Sequence, residues 1–322
     1  MRTLRRRLLA GLVFGFVVVI GLTLLGDVRQ VTQHLAAFSW QLTPLILTCT
    51  LFNYLLRFTK WHFYLGLVGV RDLPLVESAR MFVGGFPLAV TPGKVGEALK
   101  GVWLSQRAGI PVARAVPVVV AERISDGLAV LALSTLGVVA YPRYWPAFAS
   151  VLALLVAGVI LTQIRPLALT LITLAERLPV LGRMAEHLRE FYEGTYALFR
   201  PKATLTAVTL GTVAWLGEGI GFYLILLGLG VPRAWETLSI AVFVLSFSTI
   251  VGAVSTLPGG LGAAEASIAG MLALLLSLPP GIPAAATLLI RFATLWFGVS
   301  LGLGVWAVSS DLLLPMGEVA AD

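Results

Sequence analysis

The sequence predicts an all-α polytopic membrane protein made of two inverted repeats of transmembrane helices, each with a re-entrant helical hairpin broken at Pro-Gly. Three observations predict it. Of 322 residues, 58% are hydrophobic and only 12% charged, with a mean hydropathy of +0.94, so a soluble fold would have nowhere to put its apolar surface. The apolar runs reach the roughly 20 residues that cross about 30 Å of hydrocarbon, and the alternating segments of about ten residues that build a β-barrel are absent. Two Pro-Gly breaks, in residues 86–100 and 257–265, interrupt this background and carry charge. Such breaks free backbone groups, which are tolerated at membrane depth only where protein or a water-filled cavity satisfies them.

Taken in order, Arg2, Arg5, Arg6 and Arg7 precede an apolar run, 8–25, that is too long for a secretory signal and lacks an Ala-x-Ala cleavage site. It is expected to be a first span with a cytoplasmic N-terminus in the plasma membrane. A second span, 42–65, ends with Arg57, Lys60, Trp61, His62 and Tyr64, a mixture suited to an interface where cations snorkel and rings anchor. At the first break, a half-length apolar stretch precedes Thr91-Pro92-Gly93 and an amphipathic half follows; neither spans alone, which predicts the re-entrant hairpin. Pro111 starts a long helix to about residue 140, residues 141–146 form an outer aromatic turn, and 147–162 brings the chain back in.

Residues 165–202 are the long polar segment. Leu181, Met184, Leu188, Phe191, Thr195 and Leu198 recur there at helical spacing, predicting an amphipathic helix on the cytoplasmic membrane surface. A span over 203–229 is interrupted at Gly217-Glu218-Gly219, the second broken region runs from 238 to 278, and the last span, 283–308, carries Arg291. The chain reads as one transmembrane domain, with repeat one at about 8–140 and repeat two at about 147–308.

The repeat rests on Pro92-Gly-Lys-Val-Gly96 matching Pro258-Gly-Gly-Leu-Gly262, each followed by Gly-Ile-Pro (109–111; 281–283) and then by a helix with an intramembrane arginine, Arg123 or Arg291. Counting spans from a cytoplasmic N-terminus opens the first hairpin inward and the second outward. Arg71, Arg80, Arg107 and Arg114 flank the first and only Arg233 the second, as positive-inside bias requires. Opposed hairpins of this kind meet at the midplane and form a site with alternate access.

Function classes narrow by exclusion. The net charge of +7 is scattered among hydrophobic runs, which suits a basic face on anionic lipid and not a nucleic-acid module. Cys49, the single cysteine, sits in an apolar run as packing, and His34, His62 and His187 are isolated, so no metal or other cofactor is expected. The chemistry lies in the intramembrane charges, each costing about 2.5–3.5 kcal/mol at a bilayer centre on insertion scales. Lys94, Glu97 and Lys100 follow at i, i+3 spacing on one stripe, and Glu122 and Asp126 lie one turn apart with Arg123 offset.

One reading makes these structural ion pairs. The other has Lys94, Lys100, Arg123 and Arg291 offer positive charge to a lipid phosphate, helped by backbone N–H groups after Pro92-Gly93, while Glu97, Glu122, Asp126, Glu218 and Glu265 balance them or carry protons. For Glu218 and Glu265, packing or helix capping stands as an equal alternative. The Glu122/Asp126 pair leaves a divalent cation open, and with it an enzyme acting on a lipid phosphate. The glycine pairs Gly11/Gly15 and Gly217/Gly221 read as helix packing.

Together, Ala89-Val-Thr-Pro-Gly-Lys-Val-Gly-Glu-Ala-Leu-Lys100, Ala121-Glu-Arg-Ile-Ser-Asp126 and Leu257-Pro-Gly-Gly-Leu-Gly-Ala-Ala-Glu265 resemble the lysylphosphatidylglycerol synthase transmembrane (flippase-like) family over nearly the whole chain. In bifunctional members this region moves aminoacylated phosphatidylglycerol between leaflets and a separate cytoplasmic domain attaches the amino acid. The resemblance implies a member without that domain, transporting an anionic phospholipid or lipid-linked sugar, with a glycosyltransferase or lipid-synthesis enzyme as partner. A non-transporting partner of a glycosyltransferase is the remaining alternative. The family often has Arg-Glu after the second Pro-Gly-Gly-x-Gly; here Ala264-Glu265 keeps the acid and lacks the base beside it.

Overall fold

In hydrocarbon a backbone must satisfy its own hydrogen bonds, and a helix does so within one segment. The computed structural model describes residues 21, 27–91, 96–140, 145–176, 185–279, 281–309 and 312, and among these it is helical with no β-strand. The expected first span over residues 8–25 (save residue 21), the turn at 141–144, Leu181, Met184, and Pro92, Gly93 and Lys94 of the first break lie outside the described residues.

Helix α1 is Val28–Ala37, opened by the Asp27 carboxylate accepting from the Arg29 N–H at 3.1 Å. A 3₁₀ turn leads into α2, Thr43–Leu67, with Pro44 in its first turn. Next come α3, Leu75–Gly84, the 3₁₀ turn Phe86–Val90, and α4, Ala98–Ala108, which Gly109 ends in the left-handed region at φ +65°. Helix α5 is Val112–Ala140, α6 Trp145–Gln163, α7 Arg165–Glu176, α8 Ala185–Leu198 and α9 Pro201–Gly228. The second break lies between α10, Trp235–Val254, and α11, Ala263–Leu276, with a 3₁₀ turn at Pro258–Gly260. Helix α12, Gly281–Arg291, continues through a π-turn, Phe292–Trp296, into α13, Phe297–Val308.

Five segments are long and apolar enough to cross a membrane among the described residues: Trp40–Leu67, Pro201–Gly228, Trp235–Val254, Pro258–Leu276 and Gly281–Val308. The arms of the first break are not: α3 and α4 have 10 and 11 residues, about 15 Å each at 1.5 Å per residue, or half the bilayer. The second break is unequal to it, because α10 has 20 residues and could cross alone.

Helix α9 is the central post, packed on α2, α5, α10 and α12. It is unbroken at Gly217-Glu218-Gly219, where the sequence predicts an interruption. These glycines serve close approach: a Cβ on Gly217 would lie 2.8 Å from the Phe52 ring in α2, and one on Gly219 would lie 2.8 Å from Val242 in α10. Gly221 likewise sits against Cys49, as helix packing requires. The polar segment also differs from expectation. Helix α8 lies on α5, burying Tyr192, Thr195 and Leu198 in protein while Phe191 stays exposed, so part of its apolar face is covered by the bundle.

Among the described residues, two large apolar cores flank the centre. One joins Trp61 and Tyr64 of α2, Phe82 of α3, Trp103 of α4 and Val118 of α5; the other joins Phe222, Val244, Leu272 and Ile290 from α9 to α12. Between them Val90, Leu261 and Val299 make a small buried cluster, and the 3₁₀ turns of the two breaks touch. The breaks, far apart in sequence, therefore meet in the middle of the fold.

Candidate functional site

Side-chain hydrogen bonds link the flanks of each break. In the first, the Thr91 hydroxyl donates to the Leu88 carbonyl at 2.6 Å and accepts from the Gly96 N–H at 3.0 Å. In the second, Gly259, Gly260 and Gly262 adopt positive φ, which side-chained residues rarely tolerate. One oxygen of Glu265 accepts from the Gly262 N–H at 2.6 Å, and the other pairs with Arg291 Nε at 2.6 Å. Arg291 Nη2 donates to the Gly259 carbonyl at 2.9 Å. The basic partner absent beside Glu265 in sequence thus arrives from α12. Just beyond it, the Tyr54 hydroxyl donates to the Thr294 carbonyl at 2.6 Å, inside the π-turn, where the regular helical ladder is disturbed.

Where the breaks meet lies a cavity of about 870 Å³, walled by both breaks and by α2, α5, α9, α10 and α12. Glu97, Lys100, Arg123, Asp126, Glu218 and Arg291 line it, together with Gly259 and Gly260 of the second break. Asp126 is a hub: Lys60 Nζ contacts it, Arg57 Nη2 lies at 3.3 Å and Arg123 Nη2 at 3.4 Å. Arg123 Nε also reaches Glu97 at 3.3 Å. Lys100 donates to Glu122 at 2.7 Å, and its ammonium sits over the Trp61 ring, 4.3 Å from the centroid.

Two of the charged sequence-predicted site residues among the described residues stand back from the lining. Glu122 is buried behind Lys100, Glu265 behind Arg291, and Lys94 lies outside the described residues. The carboxylates at Glu122 and Asp126 face lysine and arginine, and among the described residues no group of three or more His, Cys, Asp or Glu could hold a metal ion.

Sequence reasoning missed Arg57, Lys60 and Trp215. The interfacial reading of the end of α2 is corrected: Lys60 and Trp61 are wholly buried, Tyr64 nearly so, and Arg57 lines the cavity. The signal was a stripe, Asn53, Arg57, Lys60 and Tyr64 at i, i+4, i+7 and i+11, a polar face on one side of an apolar helix. Arg57 lies over the Trp215 ring, 5.9 Å from its centroid. Arg57 Nε and Trp215 Nε1, both buried at the cavity wall, are donors with no acceptor among the described residues.

At the rim the lining turns apolar and exposed, with Val120 of α5, Leu154 of α6 and Val254 at the end of α10. Here α10 packs on α5 and α6 packs on α5, and residues of both α6 and α10 line the same cavity.

No solved structure matches the chain. A UPF0104 membrane protein of Methanothermobacter thermautotrophicus is 26% identical over 283 residues, covering 82% of this chain and 82% of its own length. A family model described as lysylphosphatidylglycerol synthase TM region matches residues 9–302, a stretch that takes in both breaks and every charged residue around the cavity. The chain therefore belongs to the lysylphosphatidylglycerol synthase TM region family and is a multi-pass membrane protein.

Proposed function

We propose that this protein binds an anionic phospholipid or lipid-linked headgroup in the central cavity and translocates it across the cytoplasmic membrane, with its N-terminus inside. The observation that carries this reading is a pair of donors, Arg57 Nε and Trp215 Nε1, with no acceptor among the described residues, at the wall of a cavity that also holds Arg123. Buried donors without acceptors are costly, and an anionic oxygen between them would remove that cost. A volume of about 870 Å³ is ample for a headgroup. The exposed apolar rim at Val120, Leu154 and Val254 supports a ligand whose acyl chains stay in the bilayer while its phosphate enters.

In this reading Arg57 and Arg123 contact the phosphate, Lys100 adds positive potential, and Glu97 and Asp126 hold the cations in place until the ligand competes for them. Glu122 and Glu265 anchor Lys100 and Arg291 from behind. Two breaks that meet at one cavity, each with an Arg–Glu pair (Arg123 with Glu97, Arg291 with Glu265), support an inverted repeat with alternating access. A glycosyltransferase or lipid-synthesis enzyme that supplies the lipid is the partner consistent with it.

The test is reconstitution in liposomes carrying labelled phosphatidylglycerol, with leaflet exchange scored by a membrane-impermeant quencher. The wild-type protein is expected to speed exchange, and Arg57→Ala and Arg123→Ala to reduce it at least tenfold with the fold retained. Equal exchange by the wild-type and both variants would refute the assignment.

A further inference from the structure

Around the cavity, Glu97, Glu122, Asp126 and Glu265 each have a lysine or arginine nitrogen within 3.4 Å. Glu218 is the exception. It is 4% exposed, lines the cavity, and makes no hydrogen bond or ion pair among the described residues. Its helix holds it there, because the contacts of Gly217 with Phe52 and of Gly219 with Val242 pin α9 on both sides. The charged groups that act on it are Arg57 from α2, Asp126 from α5 and Arg291 from α12, and its own charge acts in turn on the titratable Cys49 and Tyr54 of α2. From α10 the cavity wall offers only uncharged residues, among them Leu245, Ser248 and Thr249.

A carboxylate in this position carries a charge with no direct ion-pair partner among the described residues, and its simplest neutral form is the acid. An anion entering the same cavity would meet that charge at short range. Arg57 and Arg123 are already shared with Asp126 and cannot screen both. We infer that Glu218 is a proton-binding site linked to the ligand, so that an anionic headgroup and one proton occupy the cavity together. This rests on the headgroup reading above. No covalent step is involved: the proton adds to the Glu218 carboxylate from water and leaves to water when the lipid is released.

The sign follows from linkage. Headgroup binding favours protonated Glu218, so affinity is highest at low pH and declines as pH rises through the Glu218 transition, approaching the limit of about tenfold per pH unit for one proton taken up. Glu218→Gln fixes the neutral form with the same shape.

Two measurements on the purified full chain test this. Titration with short-chain phosphatidylglycerol in a zwitterionic detergent should give wild-type affinity that weakens with rising pH, and Glu218→Gln affinity that stays at the wild-type low-pH level throughout. Infrared spectroscopy should show a carboxylic-acid C=O band in the wild type that vanishes as pH rises and is missing in Glu218→Gln. Wild-type binding that is independent of pH, or pH dependence that survives in Glu218→Gln, overturns the inference while the headgroup reading stands. If the band titrates but phosphatidylglycerol binds at no pH, the headgroup reading fails and the linkage fails with it.

Discussion

Replacing Asp126 with asparagine keeps its shape and removes the charge on which three cations converge. Lys60 is the vulnerable one: it is fully buried, and Asp126 is its ion-pair partner. Breaking a buried pair from one side costs about 3–5 kcal/mol, because the remaining charge stays buried without compensation. Removing the other side is different. Lys60→Met retains the length of the side chain and leaves Asp126 still held by Arg57 and Arg123, at 3.3 and 3.4 Å. A volume-conserving change that deletes a buried cation should cost less than about 1.5 kcal/mol. The double variant Lys60→Met/Asp126→Asn should then recover a large part of the loss, a coupling of roughly 1–3 kcal/mol. Equilibrium unfolding in mixed micelles on the four proteins of this cycle measures each term. Equal losses for Asp126→Asn and Lys60→Met, or a double variant no better than Asp126→Asn alone, would refute the hub.

Three further outcomes are expected. Gly302→Ala would drive a methyl into Pro87 and to within 2.8 Å of the Val83 carbonyl, where α13 crosses the first break; it should cost about 1–3 kcal/mol of stability, while Gly304→Ala, with open space around it, should not lower the unfolding midpoint. Arg291→Gln should destabilise the fold by leaving Glu265 buried and the Gly259 carbonyl unpaired, and adding Glu265→Gln should restore part of that loss in a thermal melt. Leu154→Trp with Val254→Trp narrows the exposed rim and should slow leaflet exchange at least fivefold in liposomes, with binding of soluble glycerol phosphate unchanged; equal loss of both would place these residues in the headgroup site instead.

Much of this arrangement is legible in sequence where the signal is local. Proline and glycine mark both breaks, since the residues that interrupt a helix do so whatever surrounds them. The charges at Glu97, Lys100, Arg123 and Asp126 announce themselves by their cost in a membrane. What sequence hides is which neighbour lies across the gap. Arg57 and Lys60 sit near the end of an apolar run beside aromatic residues, the composition of a membrane interface, and only the fold of α3 and α5 over that end makes it an interior. Gly217 and Gly219 illustrate the same limit: a glycine that breaks a helix and one that lets two helices touch look identical until the partners Phe52 and Val242 are in place. The face of α8 reads as membrane-bound because its spacing specifies an apolar stripe but not what covers it.

The two Arg–Glu pairs divide the labour of the cavity. Arg291 sits 2.6 Å from Glu265, has a side chain 16% exposed, and spends a second donor on the Gly259 carbonyl. Arg123 lies at 3.3 and 3.4 Å from two carboxylates and is 35% exposed. A short, enclosed pair that also closes backbone is expensive to open, whereas a longer pair facing open volume can exchange a carboxylate for a phosphate at little cost. Arg291 therefore acts as a strut for the second break, and its loss should register first in stability. Arg123, with Arg57 beside it, has the slack to grip a ligand, and its loss should register first in affinity.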